Sequence, residues 1–146
     1  MNRDKHFKLT LLDNGIDSIK FGIKIFSNTS SVTLDFKHSL SAIYQGLLLI
    51  MKHKLSLAHP SLIFKDVANI SGNTIDYTEL FRRLQSCTDY VISDNEKQSL
   101  DRIQKLRNKI EHYEFELSKE EAATHLDNLL TFTYHFLFSE LEIDIK

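Results

Sequence analysis

The sequence has few residues of the kinds that interrupt or cross-link a chain. It contains one proline and four glycines in 146 residues, and this scarcity favours long helices because both residue types weaken helix interiors. Its single cysteine, Cys87, excludes an internal disulfide and indicates a reducing compartment. A free cysteine beside Leu84, at the end of a predicted helix, is typical of a small buried side chain.

Long hydrophobic runs and an excess of one charge are also missing. The longest apolar run covers 47–51, whereas a membrane span needs about 20 residues. The N-terminal residues lack the apolar segment of a secretory signal, so we expect a cytoplasmic protein without a membrane segment. The formal net charge of −2 gives no overall attraction to nucleic acid, so RNA binding would require a local basic patch.

Apolar residues recur at helical spacing through most of the chain. The segment 32–57 is apolar over more than half of its circumference, which predicts a central helix packed on several sides. Residues 1–12 are expected to be loose or extended, and 61–64 to form a short extended strip. We predict an all-α fold, an antiparallel bundle of four to five helices in one domain spanning 1–146. The predicted helices cover 13–26, 32–57 (with candidate N-caps at 28–31), 77–87, the stretch from a turn at 93–95 to about 116, and 118 to about 141.

Chemically active side chains are concentrated in the segment 99–116. The apolar stripe of this predicted helix consists of Leu100, Ile103, Leu106, Ile110 and Tyr113. Its remaining surface carries Lys105, Arg107, Asn108, Lys109, Glu111 and His112. Asn108 and His112 share an exposed face, whereas Arg107 lies about 140° from His112 on an ideal helix. On pattern alone, this is an ordinary solvent-facing surface with a weak Arg107–Glu111 pair.

The sequence contains no motif for metal binding, for nucleotide binding or for nucleophilic catalysis. The sequence contains neither a Cys-x-x-Cys pair nor His-Glu-x-x-His, and Asp35 with His38 supplies only part of a di-iron carboxylate site. No glycine-rich phosphate-binding loop occurs, and no motif marks Cys87 or a serine as a nucleophile. We therefore expect no metal site and no cofactor.

Arg107, followed directly by Asn108 and then by His112, resembles the Arg-x(4–6)-His motif of the HEPN superfamily (higher eukaryotes and prokaryotes nucleotide-binding domains). The resemblance extends from about Asp35 to the C-terminus. The stretches DFKHSLSAIYQGLLLIMKHKL, HPSLIF and LRNKIEHYEFELSKEEA are similar to parts of bacterial HEPN-like proteins of this size. The place of the motif, on the penultimate helix of an all-α domain, fits the same family.

This resemblance implies a function and a set of site residues. HEPN proteins are commonly metal-independent endoribonucleases, many of them toxins or effectors of phage defence, and they dimerise so that two Arg/His motifs meet in one cleft. The resemblance implies a homodimer, an RNA substrate and an antitoxin or defence-system partner. The implied catalytic residues are Arg107 and His112 with Asn108 assisting, and Lys105 and Lys109 would add positive charge for the RNA. Imidazole exchanges a proton near neutral pH and guanidinium is planar and always charged, which suits both roles.

Two features depart from the family pattern. Related proteins often carry a polar residue midway along the long helix, where this chain has Leu48, with Gln45 as the nearest polar residue. Some relatives carry a tyrosine two residues after the histidine, which a nucleotidyltransferase antitoxin adenylylates, whereas here Tyr113 directly follows His112. Some HEPN domains bind without catalysis. A non-catalytic module for RNA, nucleotide or a protein partner is therefore the alternative function, and an unrelated structural bundle is the third.

Overall fold

The structure is a computed structural model that describes residues 7–28 and 33–145. These two ranges contain five α-helices and one short 3-10 helix, and they contain no strand. The all-α class predicted from the sequence is therefore confirmed. The helices are α1 (Leu11–Asn28), α2 (Thr33–Ala58), α3 (Tyr77–Cys87), α4 (Asp94–His112) and α5 (Lys119–Leu141), and the 3-10 helix (Pro60–Ile63) follows α2.

Two serines set the starts of α4 and α5. Ser93 and Ser118 each form a capping box, in which the serine hydroxyl accepts from the backbone N–H of a glutamate and the glutamate carboxylate accepts from the serine backbone N–H. Both starts agree with the sequence. Of the segment 1–12 predicted to be loose, 7–10 is non-helical, Leu11 and Leu12 already belong to α1, and 1–6 lie outside the described residues. Of the N-caps predicted at 28–31, Asn28 is instead the last residue of α1, and 29–31 lie outside the described residues.

The expectations for the segment 61–64, for the end of the fourth helix and for Cys87 are wrong. The segment 61–64 is not an extended strip, because Pro60 begins a 3-10 helix whose N-terminus is capped by a neighbouring histidine side chain. The fourth helix does not continue to about 116: it ends at His112, and Tyr113 takes φ −148° and ψ −126°, which places its side chain in solvent, 76% exposed. Cys87 is exposed instead of buried.

The central position predicted for the second helix is confirmed. Helix α2 contacts α1, α3, α4 and α5, and residues on several of its sides are fully buried. Ring and guanidinium contacts pair Phe36 with Phe115 and Tyr44 with Arg107, so the chain around α4 runs antiparallel to α2. The described helices do not combine the length and the apolar character that crossing a membrane requires.

Helix α1 lies against α2 at a distance that only glycine allows. A Cβ atom added to Gly46 would lie 2.5 Å from the carbonyl oxygen of Gly15 and 2.6 Å from Cγ1 of Ile19. A Cβ atom added to Gly22 would lie 2.9 Å from the carbonyl oxygen of Ser39, further along the same interface. Because residues that follow one another in α1 meet residues in reverse order in α2, the two helices are antiparallel. The glycines that weaken a helix in isolation are here the condition for close packing.

Arg83 fixes the irregular segment that joins α2 to α3. The sequence predicts it on the outer side of α3, but its guanidinium is directed inward. Its Nη1 donates to the carbonyl oxygens of Leu62 and Phe64 at 2.7 and 2.6 Å, and its Nη2 donates to that of Lys65 at 3.2 Å. Glu79 lies 3.6 Å from its Nε. One cationic side chain therefore satisfies three carbonyl groups of this loop, in addition to the hydrogen bonds that the loop residues make with one another.

Replacing Arg83 with alanine should destabilise the protein by about 2–3 kcal/mol, because charge-assisted bonds to three carbonyl groups are lost together. Urea unfolding followed by circular dichroism measures this loss. The matched control is Arg82→Ala on the same helix, whose side chain is 72% exposed and should change stability by less than about 0.5 kcal/mol. Equal effects of the two substitutions would contradict the role assigned to Arg83.

Candidate functional site

Arg107 lies on the side of α4 that faces α2. Its guanidinium carbon is 5.4 Å from the centroid of the Tyr44 ring, within the range of a cation–π contact. Tyr44 is 2% exposed, and the Arg107 side chain is 25% exposed. The ring thus forms a fixed surface beneath the guanidinium. Arg107 is a partly buried, positioned cation, unlike a solvated surface arginine.

The three guanidinium nitrogens of Arg107 differ in their polar contacts. Its Nη2 lies 3.2 Å from Oε1 of Glu111, and its Nη1 donates to Oδ1 of Asn108 at 3.4 Å. Its Nε is buried and has no hydrogen-bond partner among the described residues. Tyr44, Arg107, Asn108 and Glu111 together are called the Arg107 cluster below. Within this cluster the guanidinium still has unused donor capacity, since arginine carries five N–H groups.

A second set of polar contacts supports Tyr44 from the other side. The Tyr44 and Tyr77 rings have centroids 6.3 Å apart, and the Tyr77 hydroxyl donates to Oδ1 of Asp101 at 2.8 Å. Lys97 pairs with the same carboxylate and lies 5.0 Å from the Tyr77 ring centroid. These contacts hold the aromatic surface in place from α3 and α4, so that Arg107 rests on a rigid support.

The electrostatics of this region keep both phenols neutral. Burial raises the pKa of Tyr44, and the nearby Arg107 offsets only part of that rise. Burial and the hydrogen bond to Asp101 raise the pKa of Tyr77. Burial alone would raise the pKa of Asp101, but hydrogen bonds from Lys97 and Tyr77 bring it below its ordinary value. Tyr44 therefore serves as a neutral aromatic surface and not as a base.

His112 is the last residue of α4 and its side chain is exposed. Its imidazole makes no hydrogen bond or ion pair with another described residue, and no contact joins it to Arg107. A histidine in the last turn is favourably placed relative to the helix dipole whenever it is protonated. The angular separation expected from the helix is thus preserved: in the described chain Arg107 lies on the side of α4 that faces α2, and His112 lies in solvent.

The other predicted site residues also differ in exposure: Lys105 and Lys109 are exposed, and Asn108 is half-buried. Lys105 and Lys109 are exposed on α4 and add positive charge beside the motif. Asn108 differs from its prediction, because it is half-buried and its amide oxygen accepts from Arg107, whereas the sequence predicted an exposed neighbour of His112. The structure groups Asn108 with Arg107 and leaves His112 apart.

Two members of the Arg107 cluster were missed as site residues from the sequence. Tyr44 is one residue before Gln45, which was considered the nearest polar substitute on the long helix, but Gln45 is exposed and Tyr44 contacts the motif. Glu111 was treated as a member of a weak surface pair. The aromatic ring of Tyr44, midway along α2, was the available signal, since aromatic faces are preferred supports for guanidinium groups.

Comparison of the chain with protein-family models, curated proteins and solved structures gives no match. Within 7–28 and 33–145, His, Cys, Asp and Glu side chains do not form a group of three or more that could hold a metal ion. Functional reasoning therefore depends on the motif and on the geometry around Arg107 and His112.

Proposed function

We propose that the chain is a metal-independent endoribonuclease of the HEPN type that acts as a homodimer. One observation carries the proposal: a guanidinium held on an aromatic support and a solvent-exposed imidazole occupy the same end of one helix, in the Arg-Asn-x-x-x-His order. Arg107 and His112 supply the two functions that RNA cleavage without a metal requires. An all-helical fold with this motif on its penultimate helix agrees with the proposal.

The proposed chemistry uses the ribose itself as the nucleophile. His112 accepts the proton of the 2′-OH and the 2′-oxygen attacks the adjacent phosphorus. The bond from phosphorus to the 5′-oxygen breaks, the 5′-oxygen takes a proton from solvent, and His112 then releases its own proton to solvent. The products are a 2′,3′-cyclic phosphate and a 5′-hydroxyl end. Arg107 stabilises the negative charge that builds up on the phosphate oxygens during the attack. Asn108 positions Arg107, and Lys105 and Lys109 attract the RNA backbone.

The dimer is proposed because the described protomer separates the two catalytic groups. With Arg107 facing α2 and His112 in solvent, a second copy would supply the histidine that faces a given arginine. Such a site is composite, and a two-fold axis would generate it from identical surfaces. Within this proposal the cellular role is that of a toxin or a phage-defence effector, controlled by an antitoxin or another defence-system protein.

The purified protein should cleave unstructured RNA in the presence of EDTA. Gel electrophoresis and mass spectrometry of the products test for 2′,3′-cyclic phosphate ends, and light scattering measures the mass of the particle. The control is Arg107→Ala, purified in the same way, which should be slower by about 10²–10³-fold because a charge-stabilising donor is lost. Equal cleavage by both preparations would indicate a contaminating nuclease and contradict the assignment.

The alternative is a non-catalytic HEPN-type module that binds RNA, a nucleotide or a protein partner. It is favoured by the absence of a contact between Arg107 and His112 among the described residues. RNA binding that depends on Arg107, without cleavage at any protein concentration, would select this alternative.

A further inference from the structure

The edge of the Arg107 guanidinium that does not contact Tyr44 is paired with a carboxylate, that of Glu111. The guanidinium carbon lies over the Tyr44 ring, 5.4 Å from its centroid, and Nε is buried. Nη2 faces Glu111 across 3.2 Å, and the side chains of Arg107 and Glu111 are 25% and 32% exposed. Among the described residues, Glu111 is the one carboxylate paired with Arg107. An external anion that approaches this guanidinium must therefore share it with Glu111.

The position of Glu111 in the helix does not by itself favour an ion pair with Arg107. It lies in the last turn of α4, where the partial negative charge of the helix C-terminus disfavours a carboxylate. The order, with arginine before glutamate, is also the less favourable one for pairs four residues apart. The contact is thus a weak helix stabiliser. A phosphate group has the same geometric fit to guanidinium and spreads its charge over more oxygen atoms, so it can replace the carboxylate.

We propose that Glu111 is an internal competitor for the phosphate-binding edge of Arg107, so that RNA binds by displacing the Glu111 carboxylate. The inference rests on the proposed function for the identity of the anion, an RNA phosphate. Glu111 then regulates the same site: it keeps Arg107 paired in the free protein and weakens its binding of RNA. Tyr44 remains in contact with the guanidinium throughout, because the ring and the carboxylate contact different parts of it.

The test measures the binding of a fluorescein-labelled 2′-O-methyl oligoribonucleotide by fluorescence anisotropy. This probe has the phosphates of RNA but lacks the 2′-OH that cleavage requires. Glu111→Gln should tighten binding about fivefold, because the neutral amide no longer holds the guanidinium. The matched control is Glu114→Gln, which removes the same charge from an exposed residue beyond the helix end and should change binding less than about twofold.

A double-mutant comparison separates competition from general electrostatics. In an Arg107→Ala background, Glu111→Gln should tighten binding no more than Glu114→Gln does. The urea midpoint of Glu111→Gln should equal that of the wild type, whereas a purely structural carboxylate would lower it when removed. Equal effects of the two glutamine substitutions, a gain that persists without Arg107, or no binding by the wild type and Glu111→Gln alike would each overturn the inference.

This experiment is independent of catalysis. If binding follows the expected pattern but ordinary RNA is never cleaved, the competition between Glu111 and phosphate stands and the ribonuclease proposal falls. If ordinary RNA is cleaved but Glu111→Gln binds like Glu114→Gln, the ribonuclease proposal stands and the competition is wrong.

Discussion

Replacing Gly46 with alanine should lower the free energy of unfolding by about 2–3 kcal/mol and the melting temperature by about 6 °C. The added methyl carbon would lie 2.5 Å from the backbone oxygen of Gly15, 2.6 Å from Cγ1 of Ile19 and 3.1 Å from its backbone nitrogen. A backbone atom cannot rotate away, so α1 must move outward and expose Ile19, which is fully buried. The higher helix propensity of alanine, worth about 1 kcal/mol, offsets only part of this cost.

The control for Gly46→Ala is Gln45→Ala at the preceding, exposed position of α2. This substitution adds no atom that could clash with α1, and it should change the free energy of unfolding by less than about 0.5 kcal/mol. Thermal unfolding by calorimetry compares the two variants directly. If Gly46→Ala melts at or above the wild-type temperature, the close packing of α1 on α2 does not occur in solution.

The glycines illustrate where sequence reasoning reaches its limit for this fold. Helix existence followed from apolar periodicity and capping signals, so α3 and the starts of α4 and α5 were predicted within a residue or two. By intrinsic propensity Gly15 and Gly22 disfavour a helix, because propensity counts only the isolated segment. Their role depends on which residues of α2 lie opposite, and no local pattern contains that information. Tertiary contact outweighed intrinsic preference here.

The end of α4 and the orientation of Arg83 show the same limit. Apolar spacing continued to Tyr113, so the helix was extended beyond the point where the chain turns towards Phe36. The chain leaves the helix after His112, and beyond this point the Phe115 ring packs with its centroid 5.9 Å from that of Phe36. Arg83 looks like a surface residue by charge alone, but the carbonyl groups that it satisfies belong to a distant loop.

The sequence motif proposes members of the candidate site but does not predict how they are arranged. Arg107 and His112 were identified from the motif, and their angular separation from helix geometry. Predicting which α2 residue contacts Arg107 requires the relative register of the two helices. That register places Tyr44, and not Leu48, beside Arg107. The pairing of Glu111 with Arg107 is visible from spacing, but the proposal that it competes with an anion depends on the partial burial of Arg107, which spacing does not give.

Replacing His112 with alanine should reduce RNA cleavage by about 10²–10⁴-fold, because the group proposed to accept the 2′-OH proton is removed. Stability should be unchanged, since the side chain is exposed. The matched control is His135→Ala on α5, whose side chain is 68% exposed and should leave the rate within about twofold of wild type. Initial rates on a fluorogenic oligonucleotide measure the difference. A histidine-independent rate would show that another group accepts the proton.

Mixing the two inactive variants tests whether the site is shared between subunits. Arg107→Ala and His112→Ala are unfolded together in urea and refolded, so that about half of the dimers pair one variant with the other. In such a dimer one protomer retains Arg107 and the other retains His112. A composite site is then complete in one place, and activity should return to about a quarter of the wild-type rate. If both groups act within one protomer, every dimer lacks a complete site and the mixture stays as slow as its components.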